Sequence, residues 1–253
     1  MDISEKLVTI AENEQKASDA NARLEQILYG TDTGGKSYYD EFWDGYQENG
    51  NKTNYGHAFA GPSWNDKLFD PKYKVIQPTS SYRMFASTRI KDLKSVCENR
   101  GITIDLSKST YVVYLFTESY SLTSVPEINL SNASGLQYVF QYCTALKSIE
   151  KLVISSTQKQ SYSNTFQRCD ALQQIAIEGT FFGSVSFQWS PLTAESAISI
   201  ITHLKDYKGT DSEFANTLTL SSSTLDLLDA EGATSPNGNT WRDYMEDIGW
   251  LIN

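Results

Sequence analysis

Cysteine, histidine and positive charge are all scarce in this chain, and each scarcity excludes a class of protein. The 253 residues include three cysteines and two histidines, and no two cysteines form a CxxC pair. A disulfide framework and a zinc site are therefore not expected. Lysine and arginine total 21 against 31 aspartate and glutamate, so the net charge is −10. That balance argues against binding to nucleic acid or to an anionic membrane surface.

Long apolar runs are also lacking. No stretch approaches the roughly 18 apolar residues of a membrane-spanning helix, and residues 1–16 have no apolar segment typical of a signal peptide. We therefore expect a protein that neither spans nor binds a membrane and that carries no secretion signal. The apolar fraction of 40% is ordinary for a folded chain, and the length suffices for a full hydrophobic core.

Residues 1–37 are predicted to form an N-terminal helix followed by a Gly-rich hinge. Alternating steps of four and three residues along this helix give the heptad seam of a coiled coil, interrupted by polar Glu14 and Asn21. The helix is expected either to self-associate, which would make a homo-oligomer, or to lie on its own domain. The seam consists of Ile3, Leu7, Ile10, Glu14, Ala17, Asn21, Leu24 and Leu28.

The hinge contains a sequence that matches a phosphate-binding motif. Residues 30–37, GTDTGGKS, fit G-x-x-x-x-G-K-[ST] letter for letter. A phosphate-binding loop needs a buried strand before it, whereas the preceding NARLEQILY is predicted to be helical and charged. We therefore expect a flexible hinge and no cofactor. A nucleotide-dependent enzyme that uses Lys36 is the alternative from another functional class.

Residues 38–81 are predicted to form an aromatic-rich N-terminal cap. Twelve Phe, Trp and Tyr residues occur from Tyr38 to Phe85, and Asn-Gly, Gly-Pro, Asp-Pro and Gln-Pro pairs divide the segment into short loops. An aromatic ligand platform is the alternative interpretation of this segment.

Residues 82–253 contain internal repeats. The motif F-x-x-[SC]-x-x-L-x-x-[VI] begins at Phe116, Phe140 and Phe166. One strand in each repeat of roughly 20–29 residues is typical of leucine-rich repeats, whose stacked neighbours bury each other's apolar faces. The expected fold class is an α/β repeat, a short leucine-rich-repeat solenoid with an N-terminal helix and an aromatic-rich cap. Strand-like apolar pairs recur 24, 24 and 23 residues apart, at Ile104/Leu106, Ile128/Leu130, Leu152/Ile154 and Ile175/Ile177.

The C-terminal part is predicted to form two longer capping repeats. One helix is expected to open at Ser190-Pro191 and to end at Gly209. Phe187, Leu220 and Ile252, which are 33 and 32 residues apart, are expected at equivalent strand positions. The expected strands lie at 184–187, 217–220 and 249–252, and the two further helices at about 222–231 and 240–248.

The repeat motif resembles that of BspA-type leucine-rich repeats. Nearly the whole chain is similar to leucine-rich-repeat proteins encoded by phages and prophages of gut Firmicutes, near tail and baseplate genes. The resemblance implies a non-enzymatic phage-tail protein, found in the virion or in the bacterial cytoplasm before assembly. The implied partners are tail or baseplate proteins, or further copies of the chain through the N-terminal helix. The similar segments are KLVTIAENEQK, YYDEFWDGYQENGNKTNYGHAFAGPSW, FDPKYKVIQPT, VSFQWSPLTAESAISIITHLKDYKGT and TLTLSSSTLDLLDAEGATSPNGNTWRDYMEDIGWLI.

The predicted binding surface is the outward face of the stacked strands, where alternate side chains point away from the core. This face would recognise a host-surface protein or glycan. A bacterial protein–protein interaction module and a surface adhesin are the alternatives within the same class. The predicted residues are Thr103, Asp105, Asn129, Val153, Ala176, Ser186 and Thr219. Five nearby tyrosines would add aromatic contacts or pack between repeats: Tyr111, Tyr114, Tyr138, Tyr142 and Tyr162.

No catalytic or metal-ligating constellation is expected. His57 lies in the aromatic-rich cap and His203 in a predicted amphipathic helix, and neither adjoins a nucleophile motif. Ser119, Cys143 and Cys169 occupy the same repeat position, which indicates a small side chain between stacked turns.

Overall fold

Parallel strand pairing organises the chain from residue 75 onward. The computed structural model describes residues 75–232 and 234–253, which belong to one compact unit, Asn54–Asn253. The predictions for the N-terminal helix, for the motif at 30–37, for His57 and for most of the aromatic-rich cap lie outside the described residues.

The described residues form nine strands and four helices, and the strand pairings are all parallel. Parallel neighbours are expected when each repeat contributes a strand and a crossover connection. The strands are β1 Val75–Ile76, β2 Thr103–Ile104, β3 Ser124–Val125, β4 Ile128–Asn129, β5 Ser148–Val153, β6 Gln174–Glu178, β7 Val185–Phe187, β8 Asn216–Leu220 and β9 Trp250–Ile252. The helices are α1 Leu93–Arg100, α2 Ala194–Ile201, α3 Ser222–Glu231 and α4 Trp241–Asp247.

The strands divide into three sheets, so the prediction of one continuous strand face is wrong. β1 pairs with β2, β5 pairs with β3, β4 and β6, and β7, β8 and β9 form the third sheet. Helix α2 provides a physical reason for the break after β6. The hydroxyl oxygens of Ser196 and Ser199 accept the backbone N–H groups of Ile175 and Ile177, each at 3.0 Å. These two N–H groups of β6 are therefore not available to pair with a further strand.

The register of the second sheet follows the predicted period and then departs from it. Ile128 lies opposite Leu152, 24 residues later, as predicted. Leu152 lies opposite Ile177 instead of Ile175, because the register shifts between Ile149 and Leu152. A β-bulge places two residues of one strand against one of its partner, and a fixed spacing in the sequence does not reveal it.

The C-terminal elements occur where they were predicted, but one helix boundary is wrong. The structure begins α2 at Ala194 instead of Pro191, because the Thr193 side chain accepts the N–H of Ser196 and caps the helix there. The helix ends at Ile201, well before Gly209.

The register of the third sheet is also partly as predicted. Phe187 lies opposite Leu220, whereas Ile252 lies opposite Leu218 instead of Leu220. The fully buried residue of β9 is Trp250, whose indole N–H donates to the carbonyl of Lys205 at 2.7 Å. In the observed register Trp250 lies opposite Asn216, and its indole N–H has an acceptor there.

A ladder of phenylalanine rings forms the centre of the core. Neighbouring ring centroids are 4.3–5.7 Å apart, and each ring is at most 1% exposed. Stacked pairs of this kind contribute about 0.5–1.5 kcal/mol each beyond their burial. The motif phenylalanines predicted from the sequence supply three of the five rings. The ladder consists of Phe85, Phe116, Phe140, Phe166 and Phe187.

The backbone beside this ladder has an unusual and regular conformation. In four successive turns, the residues two before and two after the phenylalanine have φ between 52° and 61°. Left-handed backbone is costly for residues other than glycine, so it needs compensation. The compensation is a set of hydrogen bonds to the next turn, such as those from Tyr114 N–H and Phe116 N–H to the carbonyls of Gln137 and Val139. The eight residues are Arg83, Ser87, Tyr114, Glu118, Tyr138, Tyr142, Asn164 and Arg168.

Candidate binding surfaces

The seven residues predicted as a binding face are distributed over all three sheets. The structure brings together two pairs of them: Asn129 lies opposite Val153, and Ser186 lies opposite Thr219. Ala176 lies opposite the bulge of β5, so it is not in register with Val153. Thr103 and Asp105 belong to β2 and the residues after it, in a different sheet.

The exposure of these residues also differs from the prediction. Thr103, Ala176 and Ser186 are exposed, but Val153 is only 8% exposed and does not present its side chain to solvent. Val153 lies on the central strand of its sheet, with Asn129 and Glu178 opposite it on the two flanking strands. Alternation along one strand does not reveal how closely neighbouring strands cover it. Asp105, Asn129 and Thr219 are half-buried.

Two of the polar residues in this set stabilise local turns. Asp105 accepts the N–H of Ser107 at 2.9 Å, and Asn129 accepts the N–H of Ser131 at 3.0 Å. The hydrogen bonds from Ser107 lower the pKa of Asp105, with smaller help from Gln77. These side chains are thus already bonded within the chain, and the strand face offers a ligand few free polar groups.

An open groove of about 510 Å³ crosses the first residues of β3, β5 and β6, between α1 and α2. Its polar side chains are also largely committed. Lys94 forms an ion pair with Glu150 at 3.0 Å, and Asp92 caps α1 by accepting the N–H of Ser95 at 3.1 Å. The serines of α2 that line the groove bind the edge of β6, as described above. The polar side chains that line the groove are therefore explained by their contacts within the fold.

A third surface is formed by side chains beside the phenylalanine ladder, and we call it the tyrosine face. Most of its members lie two residues before, one residue after or two residues after a ladder phenylalanine. Its composition of Tyr, Trp and Arg is that of the energetically dominant parts of protein interfaces. The tyrosine face consists of Tyr82, Arg83, Tyr111, Tyr114, Glu118, Tyr138, Gln141, Tyr142, Gln167, Arg168 and Trp189.

The aromatic rings of this face stack from turn to turn. The rings of Tyr114 and Tyr138 are 4.6 Å apart and 11° from parallel. The guanidinium carbon of Arg83 lies 5.5 Å from the centre of the Tyr114 ring. Tyr82 and Tyr111 form a second stacked pair at 5.5 Å. These contacts fix the positions of the side chains before any ligand is bound.

The stacked tyrosines and Arg83, which precede the ladder phenylalanines in the sequence, form the first row of this face. The second row consists of side chains two residues after a ladder phenylalanine. The Arg168 guanidinium lies 5.2 Å from the ring centre of Trp189, which is 43% exposed. Arg168 also donates three hydrogen bonds to the Asp170 carboxylate at 2.9–3.2 Å, which raise the pKa of the guanidinium. Tyr142, 37% exposed, belongs to the same row. The row therefore presents two exposed aromatic side chains beside an arginine held in one geometry.

Glutamines connect three turns between the two rows. The Nε2 of Gln141 donates to Oε1 of Gln167 at 2.6 Å, and the hydroxyl of Thr117 donates to Oε1 of Gln141 at 3.4 Å. This chain of side-chain hydrogen bonds restricts the glutamines and adds polar groups to the centre of the face.

The five tyrosines singled out from the sequence have different roles. Tyr162 packs between turns, because it is 4% exposed and contacts the Phe181 ring edge-on at 4.9 Å. The other four, Tyr111, Tyr114, Tyr138 and Tyr142, belong to the tyrosine face. Sequence reasoning missed Arg83, Arg168 and Trp189. Their positions in the sequence could have identified these residues, because each lies two residues from a ladder phenylalanine, as Tyr114 does.

The remaining reactive side chains show no catalytic arrangement in the described part of the chain. The Nδ1 of His203 lies 2.6 Å from the carbonyl oxygen of Ser199 at the end of α2. Burial raises the pKa of the Cys143 thiol to about 12 and that of Cys97 to about 11. Among the described residues, no group of three His, Cys, Asp or Glu could hold a metal ion. None of the described helices is long and apolar enough to cross a bilayer.

Comparison with known proteins gave no match to a family model, to a curated protein or to a solved structure.

Proposed function

We propose that this chain is a non-enzymatic binding protein of a phage or prophage tail, which recognises a protein or glycan on the host surface. The observation that carries the proposal is the tyrosine face, where aromatic and arginine side chains repeat over successive turns. Large rigid aromatic side chains bind with a small loss of conformational entropy. The predicted N-terminal helix would attach the protein to the tail or to further copies of itself.

The proposal includes a leucine-rich-repeat solenoid as the scaffold. Three features recur in successive turns and support it: a parallel strand, a ladder phenylalanine, and a small hydrogen-bond donor three residues after that phenylalanine. Partner residues in the second sheet are 24–26 residues apart, within the period of leucine-rich repeats. Stacked repeats give an extended and rigid surface, which suits recognition of a macromolecule.

Binding to intact host cells tests the proposal. Fluorescently labelled full-length protein is added to a panel of gut Firmicutes strains, and bound protein is measured by flow cytometry. We expect saturable binding to at least one strain. Truncating an aromatic anchor at an interface can cost about 1.4 kcal/mol, which corresponds to a tenfold change in affinity, so we expect Trp189→Ala and Tyr142→Ala each to weaken binding about tenfold.

Leu227→Ala is the matched control, because Leu227 lies on α3 outside the tyrosine face and is 46% exposed, close to the 43% of Trp189. It should bind cells as the unaltered protein does. Absence of binding to every strain would contradict the proposed function. Binding that is equally strong for Trp189→Ala, Tyr142→Ala and Leu227→Ala would show that another surface is used.

A further inference from the structure

We infer that the tyrosine face binds a protein segment that presents a carboxylate to Arg83, and not a glycan. The inference rests on the proposed function and names the class of partner for the same surface. Three observations support it: the covered faces of the Tyr114 ring, the length of the surface, and the charge of Arg83, which forms no ion pair within the described residues.

The stacked tyrosine rings are arranged unfavourably for sugar binding. A sugar packs its C–H groups against the electron-rich face of an aromatic ring, so the ring must have a free face. Tyr114 has Tyr138 stacked on it from the following turn and Arg83 over it from the preceding turn. Trp189 has the Arg168 guanidinium over one face of its ring. What the stacked tyrosines offer to a ligand is therefore ring edges and hydroxyl groups.

Ring edges, hydroxyl groups and amides are suited to a protein partner. They combine apolar contact with hydrogen bonding, as in antibody combining sites. The ladder has five rings, so at the roughly 4.8 Å spacing of neighbouring strands the face is about 19 Å long. An extended peptide of about six residues covers that length.

The charge distribution indicates which side chain the partner contributes. Arg168 is neutralised by Asp170 at 2.9 Å, whereas no ion pair involves Arg83 among the described residues. The Arg83 Nε is buried and makes no hydrogen bond, so stacking on Tyr114 positions this guanidinium. The terminal N–H groups of a guanidinium bind a carboxylate through two parallel hydrogen bonds. An aspartate or glutamate of the partner supplies this missing interaction.

A peptide library tests the class of partner directly. A random 12-residue library displayed on phage is selected against the immobilised full-length protein. We expect enriched peptides to carry Asp or Glu next to apolar residues. Their affinity should fall about tenfold for Arg83→Gln, while Arg83→Lys should retain part of the binding because it keeps the charge. Circular dichroism melting curves establish that both variants are folded. Enriched peptides without acidic residues, or equal binding by Arg83→Gln, would overturn the role of Arg83.

Treated cells separate failure of this inference from failure of the proposed function. Cells that bind the protein are exposed to proteinase K, which removes surface proteins, or to periodate, which oxidises glycans. We expect proteinase K to abolish binding and periodate to leave it unchanged. The opposite result would identify a glycan receptor, which overturns this inference but leaves host recognition in place. If no strain is bound and the library yields no enriched peptide, both proposals fail.

Discussion

At the scale of single residues, the position three residues after a ladder phenylalanine favours a side chain that is small and that can also donate a hydrogen bond. A donor at this position reaches the carbonyl of the phenylalanine in the preceding turn. A buried carbonyl without a partner is unfavourable, so a residue that can donate is preferred there. The hydroxyl of Ser119 and the thiols of Cys143 and Cys169 donate at 2.8, 3.1 and 3.1 Å to the carbonyls of Phe85, Phe116 and Phe140.

Substitutions of Ser119 test this explanation. Ser119→Ala removes the donor and should lower the free energy of unfolding by about 1 kcal/mol, the typical net value of one hydrogen bond. Ser119→Cys should cost clearly less, because cysteine occupies the same position in the next two turns of the native chain. Urea denaturation measures both changes. Equal losses in the two variants would contradict a contribution of the hydrogen bond at this position.

At the scale of secondary-structure elements, α2 has two functions in the fold. Its apolar residues Ala197, Ile200 and Ile201 are 0% exposed and pack into the core. Its serines, Ser196 and Ser199, occupy the edge of β6. An uncovered edge strand can pair with another chain, so covering it protects against association. Sequence periodicity predicted the apolar residues of α2 but not the role of the serines, since a serine near an apolar face has no distinctive pattern.

Removing both serine hydroxyls should destabilise the protein and expose an edge. In the double variant Ser196→Ala, Ser199→Ala, two buried or half-buried N–H groups lose their acceptors. We expect the free energy of unfolding to fall by about 2 kcal/mol, with concentration-dependent association in light scattering. The control is Ser222→Ala, at the exposed start of α3, which should change neither measurement appreciably. Unchanged stability of the double variant would contradict the edge-capping role.

At the scale of the whole molecule, the core is continuous although the sheets are not. The ring of Phe166 lies 4.3 Å from that of Phe187, on the two sides of the break between the second and third sheets. Phe85 and Phe116 stack at 5.1 Å in turns that the pairing of β1 with β2 also connects. At the break after β6, ring stacking therefore connects turns that strand pairing does not connect.

Self-association of the full chain is the prediction that belongs to this scale. The heptad seam at the N-terminus predicts that full-length protein is an oligomer, with a solution mass above the monomer mass of 28.4 kDa. Leu7→Asp together with Leu24→Asp places charges in the seam and should yield a monomer. Light scattering on both proteins makes the comparison. A monomeric full-length protein would show that the predicted N-terminal helix does not assemble copies of this chain.

Local sequence patterns were sufficient to predict some of these features. The phenylalanine motif identified three core rings, since a side chain that recurs at a fixed position in stacked turns meets its own equivalents. The helical segment around Leu228 was also correctly located. Such elements depend on residues close together in the sequence, whose spacing determines which side chains share a face.

The sequence by itself therefore determined which side chains recur at a fixed spacing and which of them lie in the core. Only the tertiary structure decided what each unit exposes. Val153 is covered because it lies on a central strand, and Trp189 joins Arg168 because the next turn places it there. Burial and side-chain contacts of this kind depend on neighbouring turns 20 to 35 residues away, and the pattern within one turn does not contain that information.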